Sequence, residues 1–174
     1  MRGRLVIPFL VVVLAGCSRD QNDRTGLTRA DFPDQESWNA TIILTREGKK
    51  RAVVESGHLA KYNDTREVTL DEHVTADFFS TREKHMSTLT SREARVFEAT
   101  DNLLALGDVV VVSDSGVTLY TDSLYWDNGA EKITTRDTVM LTTETHDTLY
   151  GIGLESNVDL THWKIFEPWG VTER

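Results

Sequence analysis

Hydrophobic and polar residues alternate in short runs along most of this chain, most clearly between Gly107 and Asp127. Two runs rich in β-branched and aromatic residues, Val109–Val112 and Val117–Trp126, flank a polar segment at Ser113–Gly116. β-branched and aromatic side chains favour strands, whereas Asp, Ser and Gly favour turns. The pattern therefore predicts a β-hairpin.

Similar runs recur from Trp38 onward, separated by Asn, Asp, Thr, Glu or Gly. Helical periodicity is weak throughout. The nearest case is Arg92–Leu106, where the repeat described next favours strand instead. The further predicted strands are Thr41–Leu44, Ala52–Glu55, Leu59–Tyr62, Val68–Leu70, Val74–Phe79, Arg95–Ala99, Leu103–Leu106, Lys132–Thr134, Thr138–Thr142, Thr148–Ile152 and Trp163–Phe166, the last ending before Pro168.

Apolar positions also repeat at an interval of thirty residues. A fixed period of this length predicts stacked repeats in which each unit buries its apolar face against its neighbours. At roughly ten residues per strand, each repeat is expected to contain about three short strands. Four sets of positions show this interval: Leu59, Leu89, Leu119 and Leu149; Phe79, Val109 and Val139; Ala94, Leu124 and Leu154; and Thr81, Val111 and Leu141.

Alternation along each strand indicates which side chains share a face. Leu119 and Trp126 lie on one face if a β-bulge inserts one residue near Asp122. Gly151 and Gly153 leave two side-chain-free positions in a predicted strand. We interpret these glycines as a bulge rather than as room for a ligand.

Composition and charge limit the classes of partner that this protein can bind. The 174 residues are 27% charged and 8% aromatic, which is typical of a folded domain, and the net charge is −9. Without residues 1–16 the chain has 17 basic and 28 acidic side chains, a net charge of −11. Such an acidic domain repels a phosphate backbone, so we expect no nucleic acid partner.

The first residues resemble a bacterial lipoprotein signal. Arg2 and Arg4 precede the apolar stretch Leu5–Leu14, which is too short to span a membrane, and the box Leu14–Cys17 follows. The resemblance implies that Cys17 is lipidated; an ordinary signal peptide with a chance cysteine is the alternative. The expected organisation is a signal peptide over 1–16, a lipidated end and flexible tether over 17–37, and a β-domain over 38–174.

The polar residues do not form a recognisable catalytic or metal-binding motif. The five histidines are scattered without HxxH or HExxH spacing, and no G-x-S-x-G occurs. The acidic stretches Asp71–Glu72 and Glu98–Asp101 fall where turns are expected, which favours a solvated face. We therefore predict that the protein is not an enzyme and has no metal or cofactor.

Several of these segments resemble the LptC family. The hairpin carries Gly107–Val111, then Gly116, then Thr118–Asp127 in the pattern T-L-x-T-x-x-L-x-W-D. Asp147–Leu154 is similar to that family's G-x-G-L rung, and Glu47–Arg51 to its early charged turn. LptA and the N-terminal part of LptD share these rungs, but the predicted anchor and the chain length favour LptC.

The resemblance implies an all-β fold, an open β-jelly-roll of stacked antiparallel rungs. It also implies a periplasmic, membrane-anchored component of lipopolysaccharide export. Members dock on an inner-membrane ABC transporter and pass lipopolysaccharide to an LptA-like protein. Many members have an N-terminal transmembrane helix, so this chain resembles a lipoprotein variant, and we favour the inner over the outer membrane.

The inward apolar columns become a candidate groove for lipopolysaccharide acyl chains under this resemblance. A sealed core, in a general lipid-binding or structural β-rich lipoprotein, is the alternative reading of the same columns. The candidate groove residues are Leu89, Val96, Val109, Val111, Leu119, Leu124, Trp126, Val139, Leu141, Leu149 and Leu154.

The two ends of the predicted sheet are candidate partner edges, because an unpaired edge can recruit another strand. We expect the first strand to face the transporter and the last to face the LptA-like protein; an edge covered by Gly170–Arg174 is the alternative. The edge residues are Thr41, Ile42, Ile43 and Leu44 in the first strand, and Trp163, Lys164, Ile165 and Phe166 in the last.

Overall fold

The computed structural model describes residues 32–145 and 147–169, and this part of the chain is all-β, which confirms the predicted fold class. The first strand begins at Gln35, slightly before Trp38. The eleven strands of the described residues are β1 (Gln35–Arg46), β2 (Lys49–Tyr62), β3 (Glu67–Asp71), β4 (Val74–Phe79), β5 (His85–Ser91), β6 (Glu93–Phe97), β7 (Asn102–Ser113), β8 (Thr118–Asp127), β9 (Lys132–Thr142), β10 (Thr148–Asn157) and β11 (Trp163–Trp169).

These strands form one antiparallel sheet in the order β11-β10-β9-β8-β7-β5-β4-β2-β3-β6, with β1 paired to β2 and β6 also paired to β7. Both β3 and β4 pair with β2, and both β5 and β6 pair with β7. Each of these two pairs therefore acts as one long strand that is interrupted once. The sheet is thus an up-and-down series of long hairpins.

The interruptions line up across the sheet and form what we call the crease. Glu72 and His73, between β3 and β4, have φ angles of 56° and 75°; Gly107 and Asp108, within β7, have φ angles of 76° and 48°. Left-handed residues and bulges bend a strand and increase its twist. The crease also includes the break at Arg92 and the register shifts between Thr121 and Tyr125 and between Ile152 and Leu154.

The sheet folds back on itself along this crease, so that its two halves face each other. We call them the β4–β5 half and the β3–β6 half, after the strands that lie wholly within each. The rings of Phe78, in β4, and Trp126, at the far end of β8, lie 4.9 Å apart between centroids. The inner faces of both halves thereby bury one apolar cluster, in a jelly-roll-like arrangement.

The thirty-residue period is real, but the expectation of three short strands per repeat was wrong. Two long strands and their turns take up about thirty residues, so positions one period apart lie on alternate strands. Val111 and Leu141, for example, both pair with Leu119, which lies between them on β8. The strands are longer than predicted because the sheet bends at the crease without ending.

Two further details differ from the sequence prediction. The strand β5 was missed, because His85–Ser91 has Leu89 and Met86 as its apolar residues. The last strand does not stop before Pro168: it continues to Trp169, with Pro168 opposite Gly151. Proline is tolerated there because β11 is an edge strand, where proline is found in sheets.

The predicted signal peptide, Cys17 and most of the predicted tether lie outside the described residues, as do His146 and Gly170–Arg174. The predictions of a signal peptide, a lipidated Cys17 and a tether therefore stay predictions. Within residues 32–145 and 147–169, no helix has the length and apolar character needed to cross a membrane.

Candidate functional site

The candidate groove residues come together on the inner face of the folded sheet. Ten of the eleven are at most 2% exposed, and Leu149 is half-buried against the same cluster. Alternation explains this result, because each residue occupies an inward position of its strand. The ten are Leu89, Val96, Val109, Val111, Leu119, Leu124, Trp126, Val139, Leu141 and Leu154.

Strand pairing orders these side chains into rows. One row, which we call the leucine row, crosses five neighbouring strands: Leu89, Val111, Leu119, Leu141 and Leu149 lie side by side from β5 to β10. Directly opposed side chains lie about 4.5–5.5 Å apart. The β4–β5 half therefore presents a continuous apolar stripe to the interior.

A second row crosses the β3–β6 half and contains Val96, Leu103, Trp126 and Ile133. Trp126 fills the space between the halves through its contact with Phe78. The interior is closed in this structure, since both rows are buried except for the half-buried Leu149 at one end. It is thus a packed apolar interior between two halves of one sheet.

The sequence analysis did not identify several residues of this interior. Phe78, Leu103 and Ile133 follow the same alternation and could have been found from it. Val158 and Leu160 could not, because they lie in the β10–β11 turn and strand periodicity does not apply to them. The hydroxyl of Ser87 donates to the carbonyl of Val158 at 2.8 Å and holds this turn against the β4–β5 half.

The two glycines of the G-x-G-L element leave space for side chains of β11. A Cβ on Gly151 would collide with Cγ2 of Ile165, and a Cβ on Gly153 would lie 2.7 Å from Cδ2 of Phe166. Gly153 lies at a register shift and has a φ of 73°, as a bulge requires. Gly151 is not in a bulge; it leaves the space that Ile165 fills.

The candidate edge residues lie at the two ends of the sheet. Within the described residues, β1 pairs with β2 alone and β11 with β10 alone. In β1, Leu44 is buried, Ile42 is half-buried, and Thr41 and Ile43 are exposed. In β11, Ile165 is half-buried, whereas Trp163, Lys164 and Phe166 are exposed.

The acidic stretches lie in connections, as the sequence predicted, except for Asp71, which ends β3. Glu98–Asp101 connects β6 to β7, and Glu72 lies in the crease after β3. Burial raises the pKa of Asp101, and the neighbouring carboxylate of Glu98 raises it further. On the outer surface, a hydrogen bond from Lys132 lowers the pKa of Glu155. Within the described part of the chain, no cluster of His, Cys, Asp and Glu could hold a metal ion.

The sequence of this chain matches a protein-family model. The family model LptC, described as "Lipopolysaccharide-assembly, LptC-related", matches residues 31–167. The matched segment includes β1 to β10 entire and most of β11. A search of curated proteins found no match.

Gly151→Ala should loosen β11. The new Cβ would collide with Ile165 and would lie 2.8 Å from the carbonyl oxygen of Glu167, so β11 must move away from β10. We expect faster amide hydrogen exchange in β11, measured by mass spectrometry, with little change in β2–β7. Gly129→Ala, in the β8–β9 turn, is the control, and unchanged exchange in β11 of the Gly151 variant would contradict this account.

Proposed function

The chain belongs to the LptC family of lipopolysaccharide-assembly proteins and has a role in lipopolysaccharide transport at the periplasmic side of the cell envelope, and from this premise we propose how it acts. The interior of the folded sheet holds lipopolysaccharide acyl chains. The protein receives the lipid from an inner-membrane ABC transporter and passes it to an LptA-like periplasmic protein.

The continuous leucine row is the observation that carries this proposal. An acyl chain is long and unbranched, and the row crosses five strands without a charged side chain. Each buried methylene contributes about 0.8 kcal/mol, so a fourteen-carbon chain gains on the order of 10 kcal/mol. An exposed ion pair with a phosphate would contribute about 0–1 kcal/mol. An acidic protein can therefore bind an anionic glycolipid through its acyl chains.

Lipid entry requires the closed interior to open, and the far rims of the two halves support such a movement. There the halves meet partly through polar contacts, such as Arg46 with the carbonyl of Asn128 at 2.9 Å and Ser87 with the carbonyl of Val158, beside the apolar contact of Phe78 with Trp126. Each such hydrogen bond contributes only about 0.5–1.5 kcal/mol net, because water can replace the partner. The halves separate at these rims and remain joined at the crease.

Transfer between similar grooves changes the free energy little, because the acyl chains exchange one apolar surface for another. The direction of transport must therefore come from another source. We assign it to ATP hydrolysis in the partner transporter. The chain itself then acts as a passive carrier between its two neighbours.

A photo-crosslinking residue at Leu141 should capture lipopolysaccharide in cells, because this position lies on the inner face. The same residue at Met140, which points to the opposite face, is the matched control and should capture little. Adducts are identified by immunoblotting for lipopolysaccharide. A sealed core, the alternative that the closed interior favours, predicts no adduct at Leu141, Trp126 or any other inward position.

The two sheet edges give the protein a polarity. We assign β1 to the transporter and β11 to the LptA-like protein, because each edge strand has an unpaired outer side in the described structure and can accept a further strand. Crosslinkers at Thr41 and at Lys164 should then capture different proteins, as identified by mass spectrometry. Capture of the same protein at both positions would refute the polarity.

The proposed attachment to the membrane depends on Cys17, in the segment that resembles a lipoprotein signal. Acylation at this residue anchors the β-domain, and we assign it to the inner membrane. Cys17→Ala should leave the precursor uncleaved by the lipoprotein signal peptidase, seen as a larger band on a gel and as loss of fatty-acid labelling. Normal processing of this variant would exclude the lipid anchor.

A further inference from the structure

Four basic residues lie within six positions in the β1–β2 hairpin: Arg46, Lys49, Lys50 and Arg51. They stand out in a chain with a net charge of −9. Nη1 of Arg46 donates to the carbonyl of Asn128 at 2.9 Å. The hairpin therefore lies at the rim of the β4–β5 half, against the β8–β9 turn of the opposite half.

A β-bulge turns Arg51 toward the interior. Leu44 pairs with Ala52 and Thr45 with Lys50, so Arg51 is the extra residue on β2. A bulge re-aims a side chain that strict alternation would direct outward. The side chain of Arg51 is 4% exposed, and its Nη2 lies 2.9 Å from Oε1 of Glu131 in the β8–β9 turn.

Three buried side-chain polar atoms have no hydrogen-bond partner among the described residues: Nε of Arg51, Nε1 of Trp126 and Oδ1 of Asn128. Their residues are 4%, 2% and 3% exposed. Arg51 contacts the β8–β9 turn, which contains Asn128 and begins just after Trp126. Buried polar atoms are nearly always paired, so three on neighbouring elements are unusual. Two of them are donors and one is an acceptor.

We propose that this basic corner, formed by Arg46, Lys49, Arg51, Trp126 and Asn128, binds a phosphorylated sugar of the lipid whose acyl chains occupy the interior. The inference rests on the proposed function and adds the recognition of the headgroup to it. The corner adjoins the apolar cluster, because Ala52 follows Arg51 and pairs with Phe78. A single glycolipid can therefore reach both sites.

The chemistry of a phosphorylated sugar matches the unpaired atoms. Phosphate oxygens accept from guanidinium and indole N–H groups, and a sugar hydroxyl donates to an amide oxygen. Arginine binds phosphate through two parallel hydrogen bonds, as it binds a carboxylate. The phosphate replaces the carboxylate of Glu131 at Arg51, so headgroup binding also releases one contact that holds the rims together.

The test compares two forms of one glycolipid from lipopolysaccharide: the acylated disaccharide with its phosphates, and the same molecule after their removal. Binding of each to the purified full chain is measured by titration in detergent micelles. We expect the phosphorylated form to bind about tenfold tighter, equivalent to about 1.4 kcal/mol. The double variant Arg46→Gln/Lys49→Gln should lose this preference while still binding both forms.

The control removes two cations elsewhere on the surface, Lys132→Gln/Lys164→Gln, and should keep the preference. Arg51→Gln should lose the preference for the phosphorylated form, as Arg46→Gln/Lys49→Gln does. The thermal unfolding midpoint of the Arg51 variant is measured alongside. The double variant keeps the test valid if Arg51→Gln fails to fold, because Arg46 and Lys49 are exposed.

The outcomes are distinguishable. Equal affinity of the wild-type chain for both glycolipids, or a preference that the double variant retains, would overturn the basic corner and leave the acyl-chain interior in place. Binding of neither glycolipid would overturn the proposed function and this inference with it. The titrations are repeated with millimolar inorganic phosphate, and loss of the tenfold preference while both glycolipids still bind would assign the corner to free phosphate instead of a headgroup.

Discussion

The structure depends on the crease, where a single sheet folds back on itself. A sheet with one apolar face must cover that face, and the described part of this chain has no helix to do so. The crease solves this problem with bulges and left-handed residues, most of which are not glycine. Such residues cost about 1–2 kcal/mol each. Buried rows on both sides of the bend offset that cost, since each fully buried Leu or Val contributes about 1.5–3 kcal/mol.

Two kinds of contact hold the halves together, and they differ in how readily they exchange. The apolar contacts form one cluster that extends from the crease to Phe78 and Trp126. At the rims, hydrogen bonds and an ion pair, such as Arg51 with Glu131, are added to it. Water or a polar ligand can replace the rim contacts, whereas the apolar rows need another apolar surface. The rims therefore combine polar contacts that can exchange with apolar contacts that cannot do so without another apolar surface.

The edges follow from the same architecture. An up-and-down sheet that folds without closing into a barrel retains two edge strands, here β1 and β11. The end strand β11 is mostly exposed and is fixed to β10 through the spaces at Gly151 and Gly153. A fold of this kind combines an apolar interior with two places where further strands can extend the sheet.

The sequence by itself determined the β-class, the inward residues and the period of the repeat, because alternation and β-branched composition are local properties. Leu89, Val111, Leu119 and Leu141 were assigned inward from the sequence and lie inward. Alternation could not place Arg51 at the rim of the interior, since the bulge depends on pairing with β1. Nor could it show that thirty residues make two long strands, that Val158 and Leu160 complete the core, or that Phe78 meets Trp126. Those features arise from contacts between residues far apart in the chain, and only the folding of the sheet along its crease brings them together.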